Sequence, residues 1–183
     1  SNAFSDRYID VGIAEEHAVT YSAGLSVAGK IPIIAIYSTF LQRAYDSIIH
    51  DIALQNLPAI FCMDRAGLVG NDGPTHHGVF DISFMRSIPG VVVTAPKDGD
   101  EFLDILNFAI SNKIILSLRY PKLYTSYNYN REPKEIELGS WEILKNGSNI
   151  CILAIGSMIE NSLDAAEYVN NKSEDNLVTV VNC

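Results

Sequence analysis

Two carboxylates and an imidazole stand together near the start of the sequence, where they could transfer protons. Glu15, Glu16 and His17 lie within residues 10–20, at the point where a helical pattern begins. Adjacent helical residues point about 100° apart, so at most one of the two glutamates is aimed into a site. The spacing alone favours a plainer interpretation, in which acidic side chains stabilise the N-terminus of a helix.

A second segment, residues 37–46, mixes aromatic rings with hydroxyl groups and a cation. It contains Tyr37, Phe40 and Arg43 and follows a short run of β-branched residues. Ligands of open α/β sheets bind at the carboxyl ends of the strands, which is where this segment is expected to lie. Taken by itself, the segment is better explained as the start of a helix with a core phenylalanine.

The third segment, residues 64–78, is a glycine-rich loop with an unusual number of ionisable groups. Arg65, Asp72, His76 and His77 stand among four glycines and a proline. A structural turn rarely needs so many charges, and glycines allow a close approach of backbone to ligand, so this loop predicts a functional site. A metal site is the alternative, but the adjacent histidines are poorly spaced as ligands and no cysteine or carboxylate cluster completes a shell.

The elements that must position these segments alternate between strand and helix. The alternation predicts an α/β fold with a mostly parallel sheet and helices on both faces. The predicted strands are residues 33–36, 59–63, 91–95, 114–118, 150–154 and 177–181, and the predicted helices are residues 14–28, 40–55, 98–110 and 158–169. Because parallel strands end at the same edge, the second and third segments should meet there.

Composition divides the chain and restricts its partners. We predict a tag remnant at residues 1–3, a first domain at 4–122, a linker at 123–138 and the truncated start of a second α/β domain at 139–183. The net charge of −9 argues against a nucleic-acid partner. Three scattered cysteines, no signal peptide and no apolar run of about 18 residues predict a cytoplasmic protein without a membrane span.

The three segments resemble the transketolase-like thiamine diphosphate enzymes, and most nearly the 1-deoxy-D-xylulose-5-phosphate synthase family among them. The matching stretches are residues 14–20, 37–46, 64–67 and 72–76. The likeness extends over residues 7–121 and continues more weakly beyond them. It implies a transketolase pyrimidine-binding domain followed by the beginning of a transketolase C-terminal domain.

The resemblance also implies residue roles. Glu15 matches the carboxyl that exchanges a proton with the cofactor's pyrimidine ring, and Phe40 matches the aromatic residue that stacks on that ring. The implied catalytic residues are Glu15 and His76, the cofactor contacts are Glu15, Tyr37, Phe40 and Arg43, and the substrate contacts are Tyr37, Arg65, Asp72 and His76. Glu16 stands where relatives often carry glutamine, so it is not included.

One departure from the family pattern concerns the substrate phosphate. Arg65 matches one phosphate ligand, but the family's Arg-Tyr-Pro-Arg-Gly stands here as residues 119–123, with Lys122 and Leu123 at its end. The second phosphate ligand is therefore either Lys122, a point charge without the arginine fork, or Arg119.

Cofactor and partners follow from the resemblance as well. It implies thiamine diphosphate with Mg²⁺, pyruvate and glyceraldehyde 3-phosphate as substrates, and a homodimer. The family's diphosphate and Mg²⁺ motif, Gly-Asp-Gly…Asn, belongs to a preceding domain and is absent from this sequence, so the chain alone should be inactive. The alternatives are another enzyme of the superfamily, which the matches at residues 37–46 and 64–67 disfavour, and a non-catalytic binding or oligomerisation module. Glu15 and His76 disfavour the latter.

Overall fold

Four largely apolar strands form an all-parallel sheet in the computed structural model, which describes residues 4–125, 127–128, 130–173 and 175–183. The strands are β1 (Ile33–Tyr37), β2 (Ala59–Asp64), β3 (Val91–Thr94) and β4 (Ile115–Arg119). Their order across the sheet is β1-β2-β4-β3, and every neighbouring pair is parallel. Each overlaps a predicted strand, and the parallel α/β architecture is confirmed.

Helices cover both faces of this sheet because successive side chains of a strand point to opposite sides. On β2, Phe61 and Met63 pack with α1 (Glu15–Val27) and α4 (Asp81–Arg86) in one buried cluster. The alternate residues of β2 pack on the other face with α5 (Gly99–Asn112). The predicted placement of helices on both faces is therefore confirmed.

The helix predicted at residues 40–55 is in fact a succession of short helical pieces. α2 (Ser38–Leu41) leads into a 3₁₀ turn at Gln42–Ala44, then α3 (Tyr45–Ser47), then a π-helical stretch at Ile48–Ala53. β-Branched isoleucines are weak helix formers, and Ile48 and Ile52 are fully buried against the sheet. Packing therefore determines the backbone here. The short helix α4 has no predicted counterpart.

A second, smaller sheet forms in the C-terminal part of the chain. Its strands are β5 (Glu142–Lys145), β6 (Ile150–Ala154) and β7 (Val178–Asn182), in the order β5-β7-β6. β6 runs parallel and β5 antiparallel to the central β7, and α6 (Met158–Asn170) packs on the sheet. The connection between β5 and β6 contains Gly147, where any side chain would collide with the backbone of Val178.

The stretch predicted as a linker contains no helix or strand among its described residues, yet it is attached to α5. Arg131 Nη2 donates to the buried carboxylate of Asp104 at 2.8 Å, and the backbone N–H of Lys134 donates to the same carboxylate at 2.8 Å. The second sheet is linked to α5 as well, since Asn182 donates to Glu101 at 2.7 Å. Within the described residues, no helix has the length and apolarity needed to cross a membrane.

Candidate functional site

The carboxyl ends of β1 and β2 bring two of the three chemical segments together. Tyr37, the last residue of β1, lies beside Asp64, the last residue of β2, in the parallel register. α2 begins directly after Tyr37, and the glycine-rich loop begins directly after Asp64. The sheet topology therefore places residues 37–46 and 64–78 at one edge, as the strand pattern predicts.

Three rings from these two segments form an aromatic cluster. The rings of Tyr37 and Phe40 are stacked, with centroids 5.6 Å apart and an angle of 16° between their planes. His76 meets the Phe40 ring edge-on at 5.2 Å and lies 6.3 Å from the Tyr37 ring. His76 Nδ1 is 2.9 Å from the hydroxyl of Thr75, which leaves Nε2 as the ring nitrogen available to a ligand. A flat, apolar ligand would find a matching surface in this cluster.

The first segment reaches this cluster through Glu15. Its side chain is buried at the N-terminus of α1, whereas the side chain of Glu16 is exposed. Arg43 Nη1 donates to Glu15 Oε1 at 2.8 Å, and Arg43 Cζ lies 5.1 Å from the centroid of the Phe40 ring. One glutamate of the pair is thus directed inward and connected through Arg43 to the aromatic cluster.

A second group of contacts gathers charges from the loop and from the end of β4. Asp72 accepts from Arg65 Nε at 3.0 Å through one carboxylate oxygen and from Lys122 Nζ at 2.7 Å through the other. The hydrogen bond from Lys122, with that from Arg65, holds the pKa of Asp72 below its usual value. Arg65 also bonds the carboxylate of Asp64, and its Cζ lies 3.8 Å from the Tyr37 ring centroid.

The glycine-rich loop is closed at its base, and this closure positions the charged residues. Gly67 and Gly78 exchange two backbone hydrogen bonds of 2.7 and 2.9 Å. A side chain at position 78 would collide with the hydroxyl of Ser38 and the carbonyl of Arg65, so only glycine fits there. Two 3₁₀ turns, Gly70–Asp72 and Pro74–His76, then present Asp72 and His76.

The structure separates the two cations that the sequence left open as second phosphate ligand. Lys122 shares Asp72 with Arg65. Arg119 Nε instead bonds the buried carboxylate of Asp81 at 2.8 Å, which attaches α4 to the end of β4. Lys122 therefore lies with Arg65 at Asp72, whereas Arg119 is paired elsewhere.

Three further residues of the site have no individual role predicted from the sequence. Asp64 bonds Arg65, Thr75 bonds His76, and His77 Nδ1 accepts from the backbone N–H of Val69 at 3.1 Å. Because a backbone N–H can only donate, Nδ1 of His77 is the acceptor of this hydrogen bond, which ties two parts of the loop together. Among the described residues, no group of three or more His, Cys, Asp or Glu side chains is arranged to hold a metal ion.

Comparison with known proteins gives concordant matches. Residues 1–126 match the family model described as the transketolase pyrimidine-binding domain. The 1-deoxy-D-xylulose-5-phosphate synthase of Aquifex aeolicus is 54% identical over 165 residues, which cover 90% of this chain and 26% of that protein. The synthase of Dictyoglomus thermophilum is 51% identical over 180 residues, covering 98% of this chain and 29% of that protein.

A solved structure, titled a split-gene transketolase in an inactive β4 tetramer, superposes with a TM-score of 0.84 at 27% identity. The match covers 99% of this chain and 57% of that one. This chain thus spans little more than a quarter of the length of the curated relatives that it matches.

Proposed function

Because this chain belongs to the family of transketolase pyrimidine-binding domains, we propose that it forms the pyrimidine half of a thiamine diphosphate site in a 1-deoxy-D-xylulose-5-phosphate synthase. The complete protein would condense pyruvate with glyceraldehyde 3-phosphate, releasing carbon dioxide and forming 1-deoxy-D-xylulose 5-phosphate. That product would serve isoprenoid synthesis and, in many bacteria, the synthesis of thiamine and pyridoxal phosphate.

The observation that carries the proposal is the match of about half of all residues to proteins named as this synthase, over nearly the whole chain. The site chemistry supports it. A buried carboxylate at Glu15, a stacked ring at Phe40 and paired cations at Arg65 and Lys122 would suit, in turn, a ring nitrogen, a flat heterocycle and a phosphate.

The roles of the residues near the cofactor follow from this arrangement. Thiamine diphosphate, when bound, would supply a nucleophilic carbon that attacks the keto group of pyruvate. Glu15 would exchange a proton with the pyrimidine ring nitrogen, and Phe40, backed by Tyr37, would stack on the ring. Arg43 would orient Glu15, since it donates to that carboxylate at 2.8 Å.

The substrate would bind on the side of the glycine-rich loop. Arg65 and Lys122 would hold the phosphate of the aldehyde, because both cations converge on the single carboxylate of Asp72. His76 would hold or transfer a proton at Nε2, because its Nδ1 faces Thr75. Tyr37 would line the same space, and Arg119 would position α4 without touching the substrate.

The remaining parts of the site would come from outside this chain. A preceding domain would hold the diphosphate through Mg²⁺, and a homodimer in the cytoplasm is the expected assembly. The chain alone would be inactive, an expectation supported by the related split-gene transketolase whose structure is titled an inactive tetramer.

The test is a product assay on the complete protein with pyruvate and glyceraldehyde 3-phosphate. We expect 1-deoxy-D-xylulose 5-phosphate and carbon dioxide in equal amounts, and none from the 183-residue chain alone. Transfer of a two-carbon unit from a ketose, without carbon dioxide, would instead identify a transketolase. No turnover with cofactor and Mg²⁺ bound would identify a non-catalytic module.

A further inference from the structure

The side chain of Asp72 occupies the place where an anion would bind between two cations. Each of its carboxylate oxygens takes one cation, Arg65 Nε at 3.0 Å and Lys122 Nζ at 2.7 Å. A carboxylate with both oxygens engaged in this way presents two anionic oxygens to the cations, as a phosphate would.

The orientation of Arg65 directs its Nε toward Asp72. Its guanidinium lies over the Tyr37 ring, with Cζ 3.8 Å from the centroid, so its N–H groups point outward in the plane of the guanidinium. Within this plane, Nη1 of Arg65 is bound by the carboxylate of Asp64 and Nε by the carboxylate of Asp72. An anion that uses Nε of Arg65 and Nζ of Lys122 must therefore displace Asp72.

The backbone around Asp72 is built to permit such a displacement. Asp72 ends the 3₁₀ turn Gly70–Asp72 and is followed by Gly73. Gly70 and Gly73 have φ values of +58° and +80°, and the space beside each is open. The base of the loop is closed separately at Gly67 and Gly78, so the turn can move while Arg65 stays in place.

We propose that Asp72 is a built-in competitor at the anion site of Arg65 and Lys122, which a bound phosphate displaces from both cations. The displacement costs every such anion the same free energy, that of releasing Asp72 from the two cations, so it lowers the affinity of each by the same factor. This inference rests on the proposed function in one respect, which is that the phosphate of the aldehyde substrate is taken as the anion that binds between the two cations. The competitor itself is defined by the contacts of Asp72.

The first experiment titrates the complete protein with inorganic phosphate by calorimetry, comparing the parent with Asp72→Asn. Asparagine keeps the shape but not the charge, so we expect phosphate to bind about two- to fivefold more tightly, the range expected for the loss of one part-exposed ion-pair partner. Acetate should gain by about the same factor, because both anions displace the same carboxylate. Asp164→Asn, an equal charge change at an exposed position of α6, should alter neither affinity.

The second experiment needs no mutation and so does not depend on whether the variant folds. Hydrogen exchange of the complete protein is compared with and without saturating inorganic phosphate. If phosphate releases Asp72, we expect faster hydrogen exchange in peptides that cover residues 70–73 and no acceleration at residues 65–67. Ligand binding ordinarily protects a loop, so this sign is diagnostic.

The opposite signs overturn the inference. Weaker phosphate binding in Asp72→Asn, or protection of residues 70–73 by phosphate, would mean that Asp72 holds the cations in place for the ligand. An equal gain in phosphate affinity in Asp164→Asn would show that the effect reflects only the net charge of the protein. Neither readout requires turnover, so a failed synthase assay would reject the proposed function and leave this inference to be decided on its own.

Discussion

Arg43 Nη1 lies 2.8 Å from Oε1 of Glu15, and this hydrogen bond joins the N-terminus of α1 to the segment that follows β1. The same guanidinium lies 5.1 Å from the Phe40 ring centroid. The residues proposed for the two cofactor contacts, carboxylate and ring, are thus held in a fixed relationship by one arginine.

Glu15 and Glu16 provide a matched pair for testing the proposed acid–base group. We expect Glu15→Gln to lower kcat of the complete protein by about 10²- to 10⁴-fold, because glutamine keeps the shape but cannot exchange a proton. Glu16→Gln, at the neighbouring exposed position, should leave kcat within about twofold. Steady-state rates and circular dichroism of both variants check this, and near-normal turnover by Glu15→Gln would exclude the assignment.

The proposed phosphate site predicts selective effects on the two substrates. Arg65→Ala should raise KM for glyceraldehyde 3-phosphate by about ten- to a hundredfold, the loss expected for a charged hydrogen bond, while KM for pyruvate changes little. Lys122→Arg should preserve or tighten aldehyde binding, since it restores a fork-shaped donor. Equal changes for both substrates would indicate that these residues support the fold or the cofactor instead.

Gly78 is expected to be intolerant of any side chain. Alanine there would place Cβ 2.6 Å from the carbonyl oxygen of Arg65 and against the Ser38 hydroxyl, so Gly78→Ala should destabilise the chain by about 1–3 kcal/mol. Gly24→Ala is the control, because Gly24 lies in α1 with open space around it and should stabilise by about 0.5–1 kcal/mol. Urea unfolding of both variants measures the difference, and equal midpoints would contradict the packing argument.

Acid should weaken the contacts of Asp72. Lys122 and Arg65 lower the pKa of this carboxyl, so its ion pairs contribute stability that is complete above the unfolded value of about 4 and is lost as the pH falls through the folded value. The difference in unfolding midpoint between the parent and Asp72→Asn should therefore be constant from pH 7 to about 5 and shrink below pH 4. A difference that is unchanged at pH 3 would show that Asp72 is not the titrating group.

The three cysteines should differ sharply in reactivity. Burial in the sheet raises the pKa of Cys62 to about 11, so at pH 8 only about a thousandth of it is thiolate. Cys151 and Cys183 are exposed. Iodoacetamide should therefore modify two thiols in the folded 183-residue chain and the third only after denaturation, as counted by mass spectrometry. Rapid modification of Cys62 in the native state would contradict its buried position.

Much of the fold is determined by local patterns in the sequence. Both faces of β2 (Ala59–Asp64) are covered, so almost all of its residues are apolar. A strand buried in this way can be recognised in the sequence as a continuous apolar run. The strand pattern of the sequence also predicts that residues 37–46 and 64–78 lie together, because parallel strands end at the same edge of a sheet.

Other features of the fold have no recognisable pattern in the local sequence. The pieces between Ser38 and Ala53 share a helical pattern in sequence, but fitting Ile48 and Ile52 against the sheet imposes 3₁₀ and π-helical turns. α4, at Asp81–Arg86, is too short to display a period. Both depend on contacts between residues that are distant along the chain.

In the candidate site, too, some features can be predicted from the sequence and others depend on tertiary contacts. The sequence by itself supplies the chemical groups and predicts the edge of the sheet where most of them gather. Only the tertiary structure decides that Glu15 rather than Glu16 turns inward, and that Lys122 reaches Asp72 while Arg119 is held by Asp81. These choices depend on the direction of individual side chains, which is set by packing and ion pairing across the fold and not by neighbours along the chain.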